Sequence, residues 1–107
     1  MSDEEKRLRV EKEIITVLRN VYDPEIPVNI YDLGLIYSVD VDENKKATIV
    51  MTLTAPGCPV ADMIVQQVYE KGMSVDGVDD CFVDLTFEPS WDKSMMSEEA
   101  KQELGFF

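Results

Sequence analysis

Apolar residues recur along this chain in two periods, and the changes from one period to the other mark out its elements. From about Asp3 to Val21, Val10, Ile14, Val17 and Val21 return at helical spacing, widened by Leu8, Ile15 and Leu18, which predicts an amphipathic first helix. Tyr22-Asp23-Pro24-Glu25-Ile26-Pro27 is expected to end it, because a residue before proline is driven out of the α region. A shaped loop through Asn29 and Asp32 to Gly34 follows, in which Asp32 is expected to cap backbone amides and Gly34 to supply a conformation that other residues avoid. The period then falls to two. Leu35, Tyr37, Val39 and Val41 alternate with Ser38 and Asp40, and after the turn Asp42-Glu43-Asn44-Lys45 the residues Ala47, Ile49, Met51 and Leu53 alternate with Thr48, Val50, Thr52 and Thr54. Two half-buried strands with so short a connection make an antiparallel hairpin.

Helical spacing resumes from Pro59 to about Lys71, with Ala61, Ile64, Val65 and Val68 on the inner side. Asp76-Gly77 marks a turn, and beyond it Cys81, Val83, Leu85 and Phe87 share one face of a third strand. Trp91, Met95 and Met96 are expected to fold back over an edge of the core, and Ser97 to cap a short helix that stops at Gly105. A helix between strands two and three is the crossover that makes them parallel neighbours. The expected fold is therefore α+β, a mixed three-stranded sheet (an antiparallel hairpin plus a parallel third strand) with helices packed on one face, in a single domain spanning 1–107.

The junction Thr54-Ala55-Pro56-Gly57-Cys58-Pro59 joins a strand pattern to a helix pattern. Pro59 suits the first helical position, which leaves Cys58 as the N-cap. Free backbone N–H groups and the positive end of the helix dipole there favour a thiolate, which is both a nucleophile and a soft-metal ligand. The same residue also fits a second account, a small buried side chain in a tight turn. Cys81, in an apolar row, is expected to be a protonated core cysteine.

Composition narrows the chemistry further. Histidine is absent from the 107 residues, which removes Cys-His and Ser-His-Asp catalysis and imidazole-based zinc sites, and the two cysteines form no Cys-x-x-Cys clip. Net charge is −12, and from Gly72 onward nine acids face only Lys93 and Lys101. Nucleic-acid binding calls for a basic surface, so none is expected, while the acidic half serves solubility or a basic partner. No apolar run reaches a membrane span, and the opening Met1-Ser2-Asp3-Glu4-Glu5-Lys6-Arg7 lacks the pattern of a secretory signal, so a cytoplasmic protein with reduced cysteines is expected.

Four ordered motifs, Asp23-Pro24-Glu25, Asp32-Leu33-Gly34-Leu35-Ile36-Tyr37, Thr52-Leu53-Thr54 through Cys58-Pro59, and Trp91 to Gly105, resemble the small iron-sulfur-assembly domain family that includes SufT and PaaD and the N-terminal domain of some cluster carriers. The resemblance implies a role in building or delivering iron-sulfur clusters or maturing the proteins that receive them, with assembly proteins and client apoproteins as partners. The family's motif cysteine falls on Cys58, its acidic pair on Asp23 and Glu25, and its threonines on Thr52 and Thr54, which makes these five the expected cluster-binding residues, with Cys58 the metal ligand. No motif position falls on Cys81. One thiolate is too few for a cluster that needs about four ligands, so Cys58 holds one only at a homodimer interface, with borrowed thiols, or transiently with a partner. Asp23 and Glu25 would supply oxygen ligands or orient a basic partner, or else serve only the turn; Thr52 and Thr54 would line the site with hydroxyls, or else reflect strand preference. The expected function is a non-enzymatic assembly or maturation factor. The alternatives are an adaptor without metal of its own and a thiol-dependent enzyme using Cys58, which would lack a histidine base.

Overall fold

Three helices and a three-stranded sheet follow one another in the computed structural model, which describes residues 3–22, 28–53 and 61–105. The first helix, α1 (Asp3–Leu18), turns Ile14 and Leu18 fully into the core. Burial of that kind contributes about 1.5–3 kcal/mol for each such side chain. The helix ends three residues earlier than the periodicity suggests. Asn20 N donates to Val17 O and Val21 N to Leu18 O, both at 3.1 Å, so the last turn tightens to i→i−3 bonding. Val21 is still buried, as its spacing predicts, but as the residue that leaves the helix: its carbonyl accepts from Ile30 N at 2.8 Å, beside the Tyr22–Asn29 bridge.

Strands β1 (Ile36–Val41) and β2 (Lys46–Met51) form the antiparallel hairpin, with Val39 opposite Ile49 and Val41 opposite Ala47. Asp42 fixes the turn between them, its Oδ1 accepting from Asn44 N and Lys46 N at 2.9 Å each. Lys45 takes a positive φ of 62° to close it. At the other side of β1, Glu11 of α1 reaches over to accept from Val41 N at 3.0 Å.

Helix α2 (Ala61–Met73) is the crossover to β3 (Asp80–Leu85), which runs parallel to β2 with Ile49 opposite Val83, giving the strand order β1-β2-β3. Val41, Ala47, Ile49 and Met51 of the sheet are buried with Ile64 and Val68 of α2 and the two α1 residues. The opposite face is open, with Ser38, Asp40, Phe82 and Asp84 exposed. The expected mixed sheet with helices on one face is the fold observed. Gly72 permits the close approach of α2 to β3, since a Cβ there would stand 2.8 Å from Cys81 Sγ. Leu85 departs from the expected pattern: it is 37% exposed, because the end of an edge strand has a neighbouring strand on one side only.

Beyond β3 the chain turns back across the sheet. Tyr37 donates its hydroxyl hydrogen to Pro89 O at 2.7 Å, and Trp91 Nε1 donates to Leu33 O at 2.7 Å. A single 3-10 turn (Lys93–Met95) then leads into α3 (Glu98–Leu104). Met96 and Ala100 are buried, so this segment covers the core as its apolar residues predict. Ser97 caps α3 by accepting from Ala100 N at 3.1 Å, and Gly105 ends it in the left-handed region at φ 75°.

Candidate functional site

Two motif segments carry the residues of interest, and a ladder of main-chain bonds brings their described flanks to one end of the sheet. Val21 O accepts from Ile30 N at 2.8 Å, Ile30 O from Leu35 N at 3.1 Å, and Leu35 O from Thr52 N at 2.8 Å. The end of α1 before the acidic segment is thereby tied to the end of β2 before the cysteine segment. Of the five expected site residues, Thr52 lies within this ladder. Asp23, Glu25, Thr54 and Cys58 lie outside the described residues, as does Pro59, the expected start of the second helix. In the sequence Cys58 stands three positions before Ala61, where α2 begins.

Thr52 is a buried polar residue, 0% exposed. Among the described residues its hydroxyl reaches one acceptor, Leu53 O, at 3.5 Å, the outer limit for a hydrogen bond. A hydroxyl removed from water at a distance of that kind is poorly compensated. Strand preference alone accounts for a threonine on a strand but not for a buried one with so long a bond at this junction.

The loop that carries the ladder is locked by a side-chain pair whose roles are the reverse of those expected. Asn29 Oδ1 accepts from Asp32 N at 2.9 Å, and Asn29 Nδ2 donates to Asp32 Oδ2 at 2.8 Å. Asn29 is thus the residue that caps the amide, and the Asp32 carboxylate holds Asn29 in place. An Asn three residues before an Asp is a recognisable turn pair, and it was available in the sequence. Gly34 has φ 82°, and a Cβ on it would collide with the main-chain carbonyl of Met95. The indole bond from Trp91 to Leu33 O and the amide of Ser97, which donates to Asp32 O at 2.8 Å, clamp the same loop from the C-terminal segment. These long-range ties have no local sequence signal.

Cys81 is buried on β3, against Gly72. Burial pushes its thiol pKa up, and the Asp80 carboxylate adds to the effect. It is a protonated core thiol, as expected, and not a second soft ligand. Among the described residues no group of three or more His, Cys, Asp and Glu side chains is arranged to hold a metal ion.

A model of the iron-sulfur cluster assembly protein family matches residues 11–85, a stretch that contains all five expected site residues. The chain belongs to this iron-sulfur cluster assembly family. An Fe-S protein maturation auxiliary factor of Porphyromonas gingivalis is 61% identical over 99 residues, 92% of this chain and 94% of that relative. The Fe-S protein maturation auxiliary factor SufT of Staphylococcus aureus is 41% identical over 85 residues, covering 79% of this chain and 97% of its own length. Among solved structures, a domain of unknown function (DUF59) from Bacillus anthracis superposes with a TM-score of 0.90 at 38% identity, over 97% of this chain and 99% of that one. The family assignment agrees with the resemblance drawn from the four motifs. No helix among the described residues is long and apolar enough to cross a membrane.

Proposed function

We propose that this protein is a non-enzymatic accessory factor in iron-sulfur cluster assembly, acting in the cytoplasm on client apoproteins, with Cys58 as the residue that holds the transferred iron or cluster. The observation that carries this reading is the family match across residues 11–85, joined to near full-length similarity with a maturation auxiliary factor. The weakly satisfied hydroxyl of Thr52, at the end of β2 from which the cysteine segment departs, supports it.

The cluster is cargo in this account. A thiolate is the right donor because iron and inorganic sulfide are soft and polarizable partners. A cysteine just ahead of a helix gains from main-chain N–H groups and the helix dipole, which favour the anion. Asp23 and Glu25 add hard oxygen donors of a kind that exchange readily, and Thr54 adds a hydroxyl. One thiolate and two carboxylates do not complete the ligand set of a two-iron cluster, and Cys81 does not extend it. The remaining ligands come from a second copy, a small thiol or the recipient, so binding is shared and the cargo can leave.

Anaerobic reconstitution with iron and sulfide tests this, read by visible absorption, bound iron and native mass. Wild type is expected to develop a chromophore that Cys58→Ala lacks and Cys81→Ala retains. A chromophore of equal strength in Cys58→Ala would overturn the assignment of Cys58.

A further inference from the structure

The outer edge of β3 has main-chain groups without a partner among the described residues, an exposed aromatic ring and a one-sided charge, features that the cluster chemistry does not use. In the parallel pairing with β2, Asp80 N donates to Lys45 O at 3.4 Å and Thr86 N to Met51 O at 2.8 Å. Even-numbered residues of this strand therefore bond inward to β2, and the N–H and C=O groups of Cys81, Val83 and Leu85 point out of the sheet. Cys81 N is capped by the Asp80 carboxylate, at 2.9 Å. The amides of Val83 and Leu85 have no partner among the described residues. Among the described residues the chain after Thr86 does not return to cover them, since it crosses toward Tyr37 and Leu33, on the β1 side.

Phe82 is 52% exposed on the open face and Leu85 is 37% exposed at the strand's end. Lys46 stands over one side of the Phe82 ring, 6.0 Å from its centroid. Asp80 and Asp84 flank that ring along the strand, with Asp79 before them and Glu88 beyond, all exposed. A second copy of this edge would bring the same carboxylates against each other, in a chain whose net charge is already −12. A cationic strand would instead place its Lys or Arg side chains between Asp80 and Asp84 and against the Phe82 ring.

We propose that the β3 edge is a docking site for an extended, basic segment of a partner protein, which adds a fourth strand by pairing with the outward main-chain groups of Val83 and Leu85. Main-chain bonds supply the attachment, and the carboxylates select cationic partners. The proposal does not rest on Cys58, so it stands or falls separately from the cluster assignment.

The probe is the peptide acetyl-Lys-Val-Lys-Val-Lys-Val-Lys-amide, titrated into the full chain and followed by amide NMR and hydrogen exchange. The expected result is at least tenfold slower exchange of the Val83 and Leu85 amides at saturation. Affinity should fall at least tenfold in Asp84→Lys and in Val83→Pro, which removes one outward donor. The same peptide N-methylated at every residue keeps its charge but has no N–H on either edge with which to pair as a strand, and should not bind. Equal binding of the N-methylated peptide, shifts spread over all acidic residues without protection of these two amides, or protection already present in a peptide-free dimer would each overturn the proposal.

Discussion

Single residues here carry consequences that can be separated from one another. The Cys81 thiol has its pKa raised by burial and by Asp80. The unfolded chain therefore releases that proton first, near the ordinary thiol value of about 8.5, and the folded state loses relative stability as pH rises through and beyond that value. Urea midpoints at pH 7.5 and 10 should show a smaller alkaline loss in Cys81→Ala than in wild type, on top of a general destabilisation by a few kcal/mol or less. Gly34 combines a φ of 82° with a contact against the Met95 carbonyl that leaves no room for a Cβ. Gly34→Ala should cost about 1–3 kcal/mol in chemical denaturation, because it loosens the clamp on the loop that supports Thr52. Thr52→Val is a sharper test of the site. Among the described residues its hydroxyl forms one bond, at 3.5 Å, so the near-isosteric change should leave stability within about 0.5 kcal/mol of wild type while lowering cluster incorporation on reconstitution. A loss of stability with incorporation intact would make Thr52 a structural residue only.

At the scale of elements, the hydrophobic pattern was a good guide wherever a segment packs along its whole length. The two hairpin strands, the crossover helix, the parallel third strand and the Ser97–Gly105 helix with its caps all follow from local spacing and end chemistry. Replacing Ser97 by Ala should remove the bond to Ala100 N and cost about 1 kcal/mol, read as a lower thermal midpoint. The pattern was less informative where tertiary bonds decide. The first helix stops at Leu18 because the next residues tighten to deliver Val21 to Ile30, a contact nine residues away that periodicity does not encode. Leu85 keeps the parity of a core position, yet it lies on an edge strand, and strand order is not written in alternation. The Asn29–Asp32 lock was visible as a residue pair, but which partner caps which amide depends on backbone geometry.

For the molecule as a whole, the fold forms a frame that ties the ends of α1 and β2 together, clamps the intervening loop from the C-terminal segment, and leaves the β3 edge uncovered by any described residue. Composition narrowed the chemistry first: without histidine and with one cysteine outside the core pattern, the sequence directs the expectation of a soft ligand to Cys58. The order of the four motifs supplied the family, which the match over residues 11–85 establishes. Asp23, Glu25, Thr54 and Cys58 lie in two sequence stretches rich in Pro and Gly, where no periodicity operates, and outside the described residues. The central claim concerns maturation through Cys58, and the most direct test is complementation. In cells lacking the native gene, the activity of an iron-sulfur dehydratase is measured after return of wild type, Cys58→Ala or Cys81→Ala at equal protein levels. Wild type and Cys81→Ala should restore the activity and Cys58→Ala should not, and full restoration by Cys58→Ala would contradict the account.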